Sequence, residues 1–225
     1  MQSTVHTSIC KTTADCAGDE PAMAIIDPEP TPSDHESSPV SPSRWVLFAG
    51  LAAVGGGLDL WTKQSVFAWR GLPGLKEVYW VIEGYFGVQT AVNIGAVFGL
   101  GAGKGWLFAV LSVVAAIGIL VWLFVFGAAV SKWLTVAMGF VMGGIIGNLY
   151  DRLGLWWQPD YPEPWRTGVR DWILWQASDE WRWPNFNIAD SLLVTGAIML
   201  MIHSTFMATP GHESSKTVVD SESST

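Results

Sequence analysis

The chain has 225 residues, of which 50% are hydrophobic and 14% charged, and its mean hydropathy is +0.32. So little charge with so much apolar content excludes an ordinary soluble domain, and the length fits one membrane domain. The net charge of −8 belongs to the ends: residues 1–40 hold one Lys against seven acids and residues 209–225 one Lys against three, so the remainder is neutral and offers no basic patch for nucleic acid.

Residues 1–43 are rich in Pro, Ser, Asp and Glu and cannot bury enough apolar surface to offset the entropy of ordering, so they are expected to be a disordered tail. Residues 209–225 read the same way, which leaves 44–208 as the membrane domain. The first 25 residues lack a basic start and an apolar core and do not read as a cleavable signal peptide. Cys10 and Cys16 are the only cysteines; their spacing is not CxxC and no His cluster accompanies them, so neither a disulfide nor a metal site is expected.

The first apolar span runs from Trp45 to about Trp69 and contains Asp59 and Lys63. Four residues apart, they share one helix face, where pairing makes both tolerable at membrane depth or lets them brace a polar site. The link from Arg70 to Lys104 contains two β-type runs, 78–82 and 87–93, expected to form a small sheet over the helices. Asn93 to Gly99 follows as a Gly-rich turn back toward the membrane. Gly101-Ala102-Gly103-Lys104 fails as a phosphate loop, because Phe98 stands where Gly is needed and Gly105 where Ser or Thr is needed.

A second span, Trp106 to about Val130, a short turn, and a third span, Trp133 to Tyr150, come next. Gly139, Gly143 and Gly147 lie four apart in the third span, a spacing that lets helices approach closely. The link from Arg152 to Asn187 carries seven of the fourteen Trp and is expected to lie along the membrane surface. The fourth span runs from Ile188 to about Met207. Each span can cross a hydrocarbon core of about 30 Å, and each must be helical to satisfy its own backbone. The expected fold is an α-helical membrane protein with four transmembrane helices and a small extramembrane β-sheet. Its two long links share one face; the short turn and both tails share the other. Arg44 and Lys132 sit on the tail face, although the long-link face carries more Lys and Arg in total.

The third span ends in Gly143-Gly144-Ile145-Ile146-Gly147-Asn148-Leu149-Tyr150-Asp151-Arg152, and the fourth opens on Phe186-Asn187-Ile188-Ala189-Asp190. Amides and carboxylates survive at such depth when they pair or line a site. Asp151, Asp171 and Asp190 all fall on the long-link face. Two carboxylates in a dry site cannot both ionise cheaply, which leaves one as base and one as acid, the chemistry of aspartic proteases. A structural reading competes for Asp151, which can pair with Arg152 or cap a helix. Two other functions compete for the whole chain, a proton-coupled membrane transporter and a catalytically silent lipoprotein-binding scaffold. The clustering of carboxylates at one face disfavours the first, and the intact catalytic pair that the family resemblance below implies disfavours the second.

Asp59-Leu60-Trp61-Thr62-Lys63, Asn93-Ile94-Gly95-Ala96-Val97-Phe98, the Gly143–Arg152 block, Val169-Arg170-Asp171-Trp172-Ile173 and the Phe186–Asp190 block occur in that order. Together they resemble the signature blocks of bacterial lipoprotein signal peptidase, the type II signal peptidase, over about residues 45–207. The resemblance implies a membrane aspartyl endopeptidase without metal or other cofactor. It would cut prolipoproteins before the diacylglyceryl-modified lipobox Cys, with Asp171 and Asp190 catalytic. Asp59, Lys63, Asn93, Asn148, Asp151, Arg152, Asn187 and Ala189 match positions that bind substrate or brace the dyad. It further implies a monomer in the bacterial inner membrane, with the site at the periplasmic face and both tails cytoplasmic. The sequence departs from the family pattern at Arg170, where a small or β-branched residue is usual, at Trp172, where Phe is usual, and in the long inserted region from Trp156 to Thr167.

Overall fold

The computed structural model of the chain describes residues 40–95, 101–178 and 180–207. The two segments expected to be disordered tails lie outside the described residues, except for residues 40–43, as do Ala96–Phe98 of the second signature block. Helix α1 spans Pro42–Arg70, so the expected tail boundary at residue 43 moves back into the helix. Pro42 explains that start, because its fixed φ and missing N–H suit the first turn of a helix. Gly71, at φ 81°, ends it.

Among the described residues, four helices are long and apolar enough to cross a membrane: Pro42–Arg70, Gly105–Val125, Lys132–Arg152 and Ile188–Phe206. In the second of these, helix α2 (Gly105–Leu120) continues through a π turn to Val125. The expected end near Val130 is therefore too late. Gly127 adopts left-handed backbone (φ 75°), and Ala128–Val130 forms a separate 3-10 turn. Ser131 then caps helix α3 (Lys132–Arg152) by accepting the Leu134 N–H. Helix α4 (Ile188–Ile202) also runs into a π turn, His203–Met207.

Helix α3 is the centre: α1, α2 and α4 all pack on it. Its mean hydropathy is 1.4 against 2.8 for the second span. The contrast follows from position, since α2 presents its surface to lipid while α3 is walled by protein and can carry polar groups. On the side of the short turn, Phe48, Leu123, Ala129, Leu134 and Met138 form one apolar cluster. There the Trp133 indole N–H donates to the Met199 carbonyl at 2.7 Å, joining the start of α3 to the end of α4.

The glycines of α3 make the close approaches possible. A Cβ on Gly139 would lie 2.9 Å from the Leu51 Cβ, and one on Gly143 3.3 Å from the Ala52 carbonyl oxygen, both across the α1 seam. Gly144 faces α4 instead, where a Cβ would stand 2.6 Å from the Ala189 carbonyl oxygen. Gly147 differs from a simple packing glycine, because a Cβ there would run into the Asp59 carboxyl group.

Over the long-link end lies an antiparallel sheet in the order β1 (Tyr79–Ile82), β2 (Phe86–Asn93), β3 (Val169–Trp175). The first two strands match the expected β-type runs. The third is a correction to the surface-lying link: Val169–Trp175 pairs with β2 in the register Ala91↔Asp171, Val92↔Arg170 and Asn93↔Val169. Its β-branched and aromatic residues suit a strand, but Arg170 and Asp171 interrupt the apolar pattern and hide it. Ile173 and Phe186 then exchange backbone hydrogen bonds of 2.9 and 3.1 Å, which ties the entry of α4 to β3.

Gly147→Ala is expected to lower stability by about 1–3 kcal/mol through overpacking against Asp59. Gly50→Ala, which meets nothing within 4 Å, is expected to be neutral or to stabilise by up to about 1 kcal/mol through helix propensity. Thermal melts of both variants in one detergent check the contrast; equal melting temperatures would remove the packing argument.

Candidate active site

Four elements converge below the sheet. Helix α1 brings Asp59 and Lys63, both fully buried. The end of α3 brings Asn148, Asp151 and Arg152; β3 brings Asp171; the first turn of α4 brings Asn187, Ala189 and Asp190.

The Lys63 ammonium has three protons and three partners: Asp59 Oδ2 at 2.7 Å, Asp151 Oδ2 at 3.2 Å and Asn148 Oδ1 at 3.0 Å. Lysine can only donate, so the Asn148 oxygen must face it and the amide nitrogen must face away. That nitrogen donates to Asp190 Oδ1 at 2.8 Å. The other oxygen of Asp59 accepts the Ala189 backbone N–H at 2.9 Å. Fully buried Ala189 thus holds its position through its backbone, with Gly144 pressed against its carbonyl.

Asn187 and Asp190 form a capping box at the start of α4. The Asn187 side chain accepts the Asp190 N–H at 2.9 Å, and Asp190 Oδ2 accepts the Asn187 N–H at 3.2 Å. With its oxygen committed, the Asn187 amide nitrogen must point the other way. It donates to Asp171 Oδ1 at 2.7 Å and to Asn148 Oδ1 at 3.2 Å. Asp171 and Asp190 are therefore bridged by one residue, each held by a donor of Asn187. Burial, and next the neighbouring charge of Asp190, push the Asp171 carboxyl well above its ordinary value.

Asp151 and Arg152 divide the remaining work differently from the sequence expectation. Asp151 does not pair with Arg152. Its Oδ1 accepts from Arg170 Nη2 at 2.8 Å and Nε at 3.1 Å, and its Oδ2 accepts the Arg170 backbone N–H at 2.9 Å. The Arg152 guanidinium instead reaches the carbonyl oxygens of Asn93 at 3.2 Å, Thr167 at 2.9 Å, and Gly95. It also sits over the Phe108 ring of α2, 5.2 Å from its centroid. Asn93 does not touch the carboxylates; its Oδ1 accepts the Gly95 N–H at 3.0 Å and shapes the turn after β2.

A cavity of about 950 Å³ opens beside the two carboxylates. Asp171, Asp190, Asn148 and Arg152 line its polar end. Phe108 and Ser112 of α2 and Leu193, Val194 and Thr195 of α4 line the flanks, so the cavity extends down the cleft between those helices. Such a space has room for an extended, largely apolar ligand beside the two carboxylates. No group of three or more His, Cys, Asp or Glu with metal-binding geometry occurs among the described residues.

Nine of the ten residues singled out in the sequence join one hydrogen-bonded cluster or line this cavity through their side chains, and Ala189 joins through its backbone. The sequence reading missed Arg170, which it noted only as a departure, and the capping box. The latter was legible, since Asn187-Ile188-Ala189-Asp190 has the N-cap and N3 spacing at the head of an apolar run. The ion pair from Arg170 to Asp151 spans 19 residues and a strand, with no local signal.

Known proteins match the part of the chain that contains these elements. The family described as signal peptidase (SPase) II matches residues 51–206. A lipoprotein signal peptidase of Rhodopirellula baltica is 65% identical over 177 residues, 79% of this chain and 79% of that protein. Another, of Pseudomonas syringae pv. tomato, is 40% identical over 126 residues, 54% of this chain and 66% of that protein. A solved bacterial membrane enzyme superposes with a TM-score of 0.58 at 24% identity, covering 74% of this chain and 93% of that one, and so shares the fold.

Asp151→Asn is expected to destabilise by about 3–5 kcal/mol, because Arg170 would lose its ionic partner and Lys63 one of its two. The check is a thermal melt in detergent beside the wild type; an unchanged melting temperature would show that the amide satisfies both cations.

Proposed function

The chain belongs to the signal peptidase II family, and we propose that Asp171 and Asp190 are the pair with which it cuts. It is a multi-pass membrane peptidase of the aspartic type that removes signal peptides from prolipoproteins. The transporter and silent-scaffold readings draw no support from its relatives. The observation that carries the catalytic assignment is the bridge through Asn187, which sets two carboxyl groups side by side at the polar end of an apolar cleft.

In this reading Asp171 holds the proton, since burial raises its carboxyl. Asp190 is the base, and its negative charge is held by the amide of Asn148 and the backbone N–H of Asn187. Asp190 takes a proton from water as the water oxygen bonds to the scissile carbonyl carbon. Asp171 gives its proton to the carbonyl oxygen. Collapse of the tetrahedral intermediate breaks the C–N bond; the leaving amine takes the proton from Asp190, and Asp171 recovers its own.

The substrate is proposed to be a prolipoprotein bearing a diacylglyceryl group on the Cys that follows the cut, with the signal segment in the cleft between α2 and α4. Asp59, Lys63, Asn148, Asp151 and Asn187 brace the pair, and Arg152 and Asn93 shape the cavity wall. All these groups come from one chain, in keeping with the proposal that the enzyme acts as a monomer. The location proposed for the site is the outer face of the bacterial cytoplasmic membrane, with both long links on that face and both tails cytoplasmic.

Asp171→Asn and Asp190→Asn are each expected to lower the cleavage rate about 10²–10⁴-fold, since each keeps the shape and deletes a proton-transfer group. The assay is initial cleavage of a diacylglyceryl-modified prolipoprotein at equal folded enzyme. Normal cleavage by either variant would reassign the pair.

The proposed mechanism needs the Asp171 proton. Below the raised Asp171 value that proton is in place; above it the acid is lost and the rate falls. The alkaline limb of kcat/KM is therefore expected above the ordinary carboxylate range. A profile that keeps rising through that range into alkaline solution would contradict the assignment of Asp171 as the acid.

A further inference from the structure

Arg170 precedes Asp171 on β3, lies outside the cavity lining and is buried. Asp151 holds it at three points, by two guanidinium nitrogens and by its backbone N–H. Its carbonyl oxygen faces the Asn187 amide nitrogen at 3.4 Å, the same nitrogen that donates to Asp171. The backbone unit leading into Asp171 is thus clamped between α3 and the cap of α4.

The guanidinium is also covered. The Trp156 ring lies with its centroid 5.3 Å from Arg170 Cζ, and the Phe67 ring of α1 at 5.9 Å. Trp156 belongs to the segment joining α3 to β3. Its indole N–H donates to the Gly168 carbonyl at 3.0 Å, and its ring meets Tyr161 and Phe67. One aromatic side chain of that segment therefore touches both the cation and the strand start. A guanidinium stacked on aromatic faces and forked onto a carboxylate has little freedom left, and a Lys could not reproduce both contacts.

We propose that Arg170 is a positioning residue for cleavage, and that the segment 153–168 acts on the site by seating Trp156 over the Arg170 guanidinium. The proposal rests on the reading of Asp171 and Asp190 as the catalytic pair. Arg170 touches neither the cavity nor the reacting atoms. It fixes the height and rotation of the strand that carries Asp171, so its loss leaves substrate binding intact and misplaces the acid.

The test measures kcat and KM separately, on diacylglyceryl-modified prolipoprotein in detergent, well below each variant's melting temperature. Arg170→Met is expected to lower kcat about 10–100-fold with KM within about twofold of wild type, the mark of a misplaced group rather than a lost contact. Arg170→Lys keeps the buried cation and is expected to fall between them. Trp156→Leu is expected to lower kcat less than Arg170→Met, and to add nothing in the Arg170→Met background, because the two act as one unit. Should Arg170→Met not fold, the Arg170→Lys result decides: reduced kcat at unchanged KM supports the proposal, and wild-type kcat overturns it. Wild-type kcat in folded Arg170→Met, a change confined to KM, or independent multiplying effects of the two substitutions would each overturn it. Normal cleavage by Asp171→Asn would overturn the catalytic assignment instead, a result that the Arg170 variants do not mimic.

Discussion

One buried ammonium group organises the membrane end of this protein. Lys63 has no exposure to solvent and no proton to spare. Taking such a charge out of water costs several kcal/mol, recovered only when every donor is matched. The three groups that match it sit on two helices, so α1 and α3 must meet at one height and rotation. The glycines of α3 permit that meeting, and Gly147 leaves the room that Asp59 occupies. Asp59 in turn holds the Ala189 N–H and so sets the height of α4. A helix register that would otherwise depend on generic apolar packing is fixed by hydrogen bonds.

From that anchor the orientation of each amide follows in sequence. Lys63 decides which way Asn148 points, and Asn148 then presents a donor to Asp190. The capping box decides which way Asn187 points, and Asn187 then presents a donor to Asp171. Neither choice depends on the substrate. The donors are in place before any peptide enters, and such preorganisation is what makes polar groups effective in a water-poor site. The sheet completes the arrangement, because the backbone bonds between Ile173 and Phe186 keep β3 and the cap of α4 at a constant separation.

Much of this was legible in the chain. Four apolar runs gave the spans, since length and composition decide whether a helix can cross a bilayer. The polar residues at the ends of the third and fourth runs stood out because lipid tolerates them only in company. The second span was drawn too long because Ala128–Val130 is as apolar as the helix before it, and only the left-handed backbone at Gly127 marks the break. Strand β3 was hidden for a related reason. A strand that holds a charged pair on one residue and a reactive group on the next does not alternate in the usual way. The partners of Asp151 were out of reach as well, because its neighbour in sequence, Arg152, turns to backbone carbonyls and its cation arrives from a distant strand.

The cleft beside the pair has two unlike walls. Helix α4 carries Asp190 and is bound at both ends, by its capping box and by Trp133. Helix α2 contributes only Phe108 and Ser112 to the lining and supplies none of the acids, amides or cations that hold the pair. On the proposed assignment, one flank of the cleft shares its helix with a reacting carboxylate and the other flank does not. Substitutions along α2 that stay apolar can reshape the cleft while the carboxylates keep their places. With the signal segment seated as proposed, the cleft can be retuned to differently shaped segments by drift in α2 alone.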